Sequence, residues 1–212
     1  MVAEDLAKRA GVKDQTTFIV GDFFSHDFGS VKFDAVFTAL VVLHIPLSRR
    51  SELFAKVRSL LKPGGRMYIE DFARRAEFNA EDRRRLSADV YVPDGDLPTA
   101  LDYEATLKGA GFDDVIIQDQ TDVWSAFVQD RHKSWVERKE ELVGVHGETT
   151  YEQKGHFYES VKEVRSSDER RVLAPCLIKL RSPSAFCSFF WRATLAVLWS
   201  RRCEFRTLYL FN

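Results

Sequence analysis

Cysteine is scarce in this sequence of 212 residues. There are three cysteines, Cys176, Cys187 and Cys203, and all of them lie beyond residue 175. Their spacings match neither a zinc-binding pattern nor a dithiol redox motif, so we predict no metal site. A chain with so few cysteines does not rest on a disulfide framework, and we expect a reducing, cytoplasmic location.

The sequence also lacks a charge excess and a long apolar run. Its 31 basic and 32 acidic residues leave a net charge of −1, so no overall field favours nucleic acid or an anionic membrane. No window of about 18 residues is both apolar and uncharged, which predicts no membrane span. The first fifteen residues, MVAEDLAKRAGVKDQ, have no apolar core of the kind found in signal peptides.

What is present is a globular composition with alternating strand and helix patterns. The segment SRRSELFAKVRSLL, residues 48–61, has the apolar period of a helix with one buried face, and KPGG then separates it from the strand-like RMYIEDF. A helix, a glycine turn and a buried strand are typical of a crossover in a parallel sheet. We therefore predict an α/β fold. The predicted strands are residues 16–23, the start of 31–45, 66–72, 113–121 and 172–180, and the predicted helices are 2–10, 48–61, 79–90, 100–112, 123–143 and 149–165.

Polar residues follow three of these strands, where open α/β sheets bind their ligands. Asp22 follows the first strand, His44 follows the second, and Glu70 and Asp71 end the third. Because neighbouring residues of a strand point to opposite faces, Glu70 and Asp71 are not expected to share a proton or a metal ion.

Read in order, FIVGDFF, FDAVFTALVVLHI, LFAKVRSLLKPGGRMYIEDF and YEATLKGAGFDDVIIQD resemble the class I S-adenosylmethionine-dependent methyltransferases. The similarity is greatest to small-molecule N-methyltransferases of the phosphoethanolamine type, and it covers residues 1 to about 181. It implies S-adenosyl-L-methionine as cofactor and a small-molecule amine, such as a phosphoethanolamine-like compound, as methyl acceptor.

The resemblance also implies roles for individual residues. Asp22 would accept a hydrogen bond from the adenine amine and Phe23 would line the adenine pocket. The alternatives are that Asp22 caps a turn and that Phe23 belongs to the core. His44 matches a catalytic histidine that takes the proton of the amine, and the alternative is a histidine held by backbone groups at a helix start.

Three aromatic residues, Tyr91, Tyr103 and Trp124, are candidates for a cage around an alkylammonium group, and the alternative is that they are core residues. This chain departs from the family in two places. Ala39 and Leu40 replace an Arg-Asp pair, and Phe72, Pro93 and Gly95 stand where the family has its phosphate-binding tyrosines and arginine. The phosphobase specificity therefore does not carry over directly.

The family's glycine-rich loop has no counterpart in this sequence. The resemblance implies a Rossmann-like sheet that lacks its first two strands, so we expect a partial methyltransferase domain at 1–181, an atypical and poorly ordered tail at 182–212, and weak or no activity. The strand near 33–38 would then expose an apolar edge that supports a homo-oligomer. The alternative function is a non-catalytic fragment that binds a partner through this edge, and a nicotinamide enzyme is a third hypothesis that the FIVGD and KPGG segments disfavour.

Overall fold

The computed structural model describes residues 2–166, 173–182 and 207–210. The chain divides into two compact units, residues 1–31 and residues 32–212. The predicted α/β class is confirmed, because the larger unit combines six helices with a mixed five-stranded sheet among the residues described.

The smaller unit contains helix α1 (Val2–Arg9), as predicted, and a short 3-10 turn at Lys13–Gln15. The strand predicted over residues 16–23 is wrong, because residues 16–20 have no regular secondary structure and residues 21–25 form a bend and a turn. β-branched and aromatic residues favour a strand only where a neighbouring strand takes up their backbone hydrogen bonds.

The sheet of the larger unit has the order β3-β4-β2-β1-β5. β2 and β5 both run parallel to β1, whereas β4 runs antiparallel to both β2 and β3. The strands are β1 (Phe33–Ala39), β2 (Leu61–Arg74), β3 (Asp113–Asp119), β4 (Leu173–Arg181) and β5 (Thr207–Leu210).

Helices follow the strands at the predicted places. They are α2 (Leu47–Leu60), α3 (Ala80–Asp89), α4 (Ala100–Gly109), α5 (Thr121–Glu137), α6 (Lys139–His146) and α7 (Glu148–Ser166). The segment predicted as one helix over 123–143 is two helices, α5 and α6. The crossover expected at KPGG is present, since α2 connects two parallel neighbours, β1 and β2.

The KPGG segment is part of strand β2, which begins at Leu61 instead of Arg66. The pairing with β1 jumps from Phe33 opposite Leu61 to Ala35 opposite Arg66, so the four residues form a large bulge. Gly64 has a φ of 74°, and a Cβ on Gly65 would lie 2.9 Å from the carbonyl oxygen of Lys62. The turn therefore requires glycine for backbone reasons.

The open edge predicted at the strand near 33–38 is wrong. The backbone of Thr207–Leu210 pairs in parallel with Ala35–Thr38 of β1, so the edge of β1 is covered by the chain's own β5. The resemblance assigns this position to the family's first strand. Within the predicted tail, residues 182 and 207–210 are described, and the prediction for the others lies outside the described residues.

One face of the sheet packs on an apolar cluster beneath α3, α5 and α7. The cluster contains Leu43, Phe72, Phe78, Leu86, Val90, Val92, Leu97, Val128 and Val161, all buried. Burying these side chains removes apolar surface from water and fixes the loops after β1 and β2 against the sheet. The carboxyl ends of both strands are thereby held in place.

Candidate functional site

His44 lies just beyond the carboxyl end of β1, as the sequence predicts. It is the last residue of a 3-10 turn, Val42–His44. The first two residues of this turn, Val42 and Leu43, are buried. Its Nδ1 lies 3.1 Å from the carbonyl oxygen of Tyr91. A carbonyl only accepts hydrogen bonds, so Nδ1 carries the proton, and Nε2 of the neutral ring is left as a proton acceptor.

Two residues with unusual backbone angles stand beside this histidine. Leu40 has a φ of 53° and Tyr91 a φ of 60°, in the left-handed region of backbone angles that residues other than glycine rarely adopt. The Leu40 amide donates to the Glu70 carbonyl at 2.8 Å, which ties the end of β1 to β2. Backbone strain of this kind is concentrated at ligand sites, so it marks this strand end as a candidate site.

Asp22 and Phe23 lie in the smaller unit. An Asp22 side-chain oxygen accepts a hydrogen bond from the Phe24 amide at 3.0 Å, and the Asp22 carbonyl accepts from the His26 amide at 2.9 Å. Asp22 therefore caps a turn, which is the alternative that the sequence left open, and its exposed side chain does not exclude a ligand role. Phe23 is half-buried against Phe28, with ring centroids 5.8 Å apart.

The three candidate cage residues have different surroundings. The Tyr103 hydroxyl donates to Asp71 at 3.1 Å, and Trp124 packs edge-on against Phe72 with ring centroids 5.6 Å apart. Asp71 and Phe72 are neighbours on β2 and point to opposite faces, so Tyr103 and Trp124 lie on opposite sides of the sheet. They do not enclose one ligand. Tyr91 is 65% exposed and follows α3 closely.

The sequence did not reveal that Asp71 is a buried carboxylate with a raised pKa. Burial raises its pKa from the usual 3.8 to about 6, and the Phe72 amide and the charge of Arg50 oppose this rise. Arg50 is itself 3% exposed, because it lies on the same face of α2 as the buried Phe54 and Val57. Its burial depends on α4 packing against α2, a contact between distant parts of the chain.

Neither a metal cluster nor a membrane helix is found in the parts of the chain that the structure describes. No three histidine, cysteine or acidic side chains there gather in a way that could hold a metal ion. None of the described helices combines the length and the apolar character needed to cross a bilayer. Cys176 is buried, and burial raises the pKa of its thiol; Cys187 and Cys203 lie outside the described residues.

Comparison with known proteins agrees with this arrangement. The methyltransferase-domain family profile matches residues 1–69. The phosphoethanolamine N-methyltransferase of Plasmodium falciparum is 26% identical over 146 residues, which are 68% of this chain and 53% of that enzyme. A phosphoethanolamine N-methyltransferase of Arabidopsis thaliana is 27% identical over 72% of this chain and 30% of its own length.

Solved structures give the same fold at lower identity. A Haemonchus contortus phosphoethanolamine N-methyltransferase, solved with phosphomonomethylethanolamine and S-adenosylhomocysteine, superposes with a TM-score of 0.65 at 18% identity, over 77% of this chain and 36% of that one. A putative sarcosine dimethylglycine methyltransferase from Galdieria sulphuraria superposes with a TM-score of 0.70 at 16% identity, over 86% of this chain and 65% of that one. The chain has the class I methyltransferase fold.

The predicted resemblance to S-adenosylmethionine-dependent methyltransferases is thereby confirmed, with phosphoethanolamine N-methyltransferases among the relatives. The chain spans about half of the Plasmodium enzyme and less than a third of the Arabidopsis one. The [4+2]-cyclase SpnF, a protein named for different chemistry, shares the fold with a TM-score of 0.64 over 87% of this chain and 63% of that one. The fold alone therefore does not determine the reaction, which depends on the residues of the site.

Proposed function

We propose that this protein transfers a methyl group from S-adenosyl-L-methionine to a small-molecule amine. The observation that carries the proposal is the geometry of His44. The histidine lies at the carboxyl end of β1, and its Nδ1 donates to the Tyr91 carbonyl. This arrangement leaves Nε2 ready to take a proton.

The cofactor, when bound, supplies an electrophilic methyl group on a sulfonium. The residues of this chain that suit it are Asp22, whose exposed carboxylate can accept from an adenine amine, and the half-buried ring of Phe23. The strand that pairs beside β1 has the sequence Thr-Leu-Tyr-Leu, without the glycine that would open a backbone cradle there. The residues therefore fit the adenine end of the cofactor, and we expect weak binding.

His44 acts on the acceptor. Methyl transfer would form a nitrogen–carbon bond with the lone pair of the amine while the sulfur–methyl bond breaks and S-adenosylhomocysteine is released. An ammonium must first lose a proton, and that proton moves to Nε2 of His44. Holding the nitrogen in line with the methyl group and excluding water contribute the rest of the rate. The positive φ of Tyr91 directs its carbonyl to Nδ1 and fixes the ring of His44.

The acceptor is an amine with a compact positive group. Tyr91 is exposed beside His44, and Trp124 packs on the cluster that contains Leu43, the residue next to His44. These two rings are our candidates for contact with an alkylammonium group. Tyr103 is not a candidate for this contact, because its hydroxyl donates to Asp71 on the other face of the sheet. Phosphoethanolamine and sarcosine, which relatives and neighbours in fold suggest, are the first acceptors to test.

Isothermal titration with S-adenosylhomocysteine tests the cofactor part. We expect saturable binding that Asp22→Asn weakens by about tenfold, since the amide offers one acceptor oxygen in place of two. Asp27→Asn is the matched control, because Asp27 accepts from the Gly29 amide at 2.7 Å in the same kind of turn. No heat from the folded protein would contradict cofactor binding. It would favour the alternative of a non-catalytic partner-binding fragment.

His44→Asn tests the proton acceptor. The asparagine amide can still donate to the Tyr91 carbonyl but cannot take a proton, so we expect the methyl-transfer rate to fall by about 10² or more. The affinity for S-adenosylhomocysteine should stay unchanged. A wild-type rate in this variant, measured with labelled cofactor and each candidate amine, would refute the role of His44.

A further inference from the structure

A cavity lies between helices α2 and α4, next to the loop that precedes α4. It has a volume of about 200 Å³, enough for a small organic molecule. Its apolar lining consists of Leu47 and Phe54 from α2 and Leu97 and Pro98 from the loop. His44 and the aromatic residues proposed for the methyl acceptor do not line this cavity, so the inference below does not rest on the proposed function.

Arg50 lines the cavity and is 3% exposed. Its Nε donates to the Ile45 carbonyl at 3.0 Å, and its guanidinium lies 5.7 Å from the centre of the Tyr103 ring. Its Nη1 is buried without a hydrogen-bond partner among the residues that the structure describes. A buried donor without a partner is unfavourable, and more so when it carries charge, so the Arg50 guanidinium is short of hydrogen-bond acceptors.

The carboxylate of Asp71 does not serve as such an acceptor. Asp71 interacts with Arg50 through charge, but its Oδ1 accepts from the Phe72 amide at 2.7 Å and its Oδ2 accepts from the Tyr103 hydroxyl at 3.1 Å. The hydrogen bonds of this carboxylate thus go to other donors.

The two carboxylates that line the cavity are also engaged. Asp102 accepts from the Thr99 amide at 3.0 Å and from the Thr99 hydroxyl at 2.7 Å, as part of the cap of α4. Asp96 pairs with Arg83 at 3.1 Å and with Arg74 at 3.6 Å. Arg74 is a second guanidinium in the lining of the cavity. The site thus offers a buried donor, a second cation and carboxylates that already have partners.

We propose that this cavity binds a small organic anion, whose carboxylate accepts a hydrogen bond from the guanidinium of Arg50 while its apolar body packs against Phe54 and Leu97. A carboxylate matches a guanidinium in charge and in hydrogen-bond geometry. The volume limits the ligand to about the size of a single ring, and an apolar wall favours a body without further polar groups.

Sodium benzoate is the probe, with benzamide as its neutral counterpart of the same shape, at constant ionic strength. We expect benzoate to raise the melting temperature saturably, and we expect benzamide to bind about tenfold more weakly because it lacks the charge. Arg50→Met should weaken benzoate binding by about tenfold or more. Arg49→Met should leave it unchanged, since Arg49 lies on the exposed side of α2, paired with Glu52 at 3.1 Å.

A second variant covers the case in which Arg50→Met does not fold. Thr106→Phe, on the α4 side of the cavity, places a ring in the space while Arg50 stays in position. We expect it to abolish the benzoate effect. The proposal is overturned if wild-type protein shows no saturable benzoate binding, as a cavity that holds only water would. It is also overturned if either variant binds benzoate as the wild type does.

Discussion

Asp71 shows how a single residue can change the pH dependence of the whole fold. It is 1% exposed, and burial raises its pKa to about 6, whereas an unfolded chain would ionise it near 3.8. The folded state therefore holds this proton more tightly than the unfolded state does. The free energy of unfolding should fall as the pH rises from about 4 to about 6, and it should change no further above that range.

Asp71→Asn tests this dependence. From pH 4 to pH 7 the wild type should lose about 2 kcal/mol of stability relative to the variant, because the variant has no proton to release. Chemical denaturation at a series of pH values measures the difference. The Asp102→Asn variant should differ from the wild type in the opposite sense. The Thr99 hydrogen bonds lower the pKa of Asp102, so the stability that this carboxylate contributes is lost as the pH falls. An equal pH dependence of wild type and Asp71→Asn would contradict the prediction.

The residues of the candidate site differ in how far the sequence alone identifies them. His44 was predicted from the sequence because it follows an apolar segment and matches a catalytic histidine of the family that the chain resembles. In the structure β1 ends at Ala39, and His44 lies five residues further on, at the end of a 3-10 turn. The carbonyl that orients it belongs to Tyr91, 47 positions further along the chain, and no local pattern links the two. The roles of Asp22, Phe23 and Trp124 stay predictions, and the Asp22→Asn variant addresses the first of them.

At the scale of elements, glycine turns hold the helices against the sheet. The 3-10 turn Pro93–Gly95 closes the connection between α3 and α4. Gly95 has a φ of 58°, and a Cβ there would lie 2.1 Å from the carbonyl oxygen of Arg83 in α3. Both the backbone angle and the close approach exclude a side chain at this position.

Gly95→Ala should therefore destabilise the protein by about 3 kcal/mol, since a strained backbone angle and overpacking each cost about 1–3 kcal/mol. Gly144→Ala is the matched control. Gly144 lies inside α6 with open space around it, so alanine should raise stability by about 0.5–1 kcal/mol. Thermal melts of the two variants give the comparison. A Gly95→Ala variant as stable as the wild type would mean that α3 can shift away from residue 95 without a loss of stability.

The whole molecule depends on a strand from its far end. β5 pairs with β1 although about 170 residues separate them in sequence, and it covers an edge that would otherwise be open. Pairing of this kind joins distant segments of the larger unit and gives the described sheet its fifth strand. The open edges of the described sheet are then those of β5 and β3.

Deleting residues 207–212 should uncover the edge of β1. We expect a loss of about 2 kcal/mol in the free energy of unfolding, because the pairing of four residues is removed. We also expect self-association, because an uncovered apolar strand pairs with another copy. Thermal melts and sedimentation measure the two effects. A monomer of unchanged stability would show that β5 does not protect the sheet.

The sequence by itself determined the alternation of strands and helices, the crossover at KPGG, the family resemblance and the position of His44. These features rest on periodicity and on neighbours within one or two turns of chain, which the sequence contains directly. It was wrong about residues 16–23, because a strand also needs a partner that local propensity does not supply.

Only the tertiary structure decided how distant segments meet. It placed β5 beside β1, put Tyr103 and Trp124 on opposite faces of the sheet, and buried both Arg50 of α2 and Asp71 of β2. Burial, and with it the raised pKa of Asp71 and the unpartnered nitrogen of Arg50, arises from contacts between residues far apart in the chain. No pattern within a single segment carries that information.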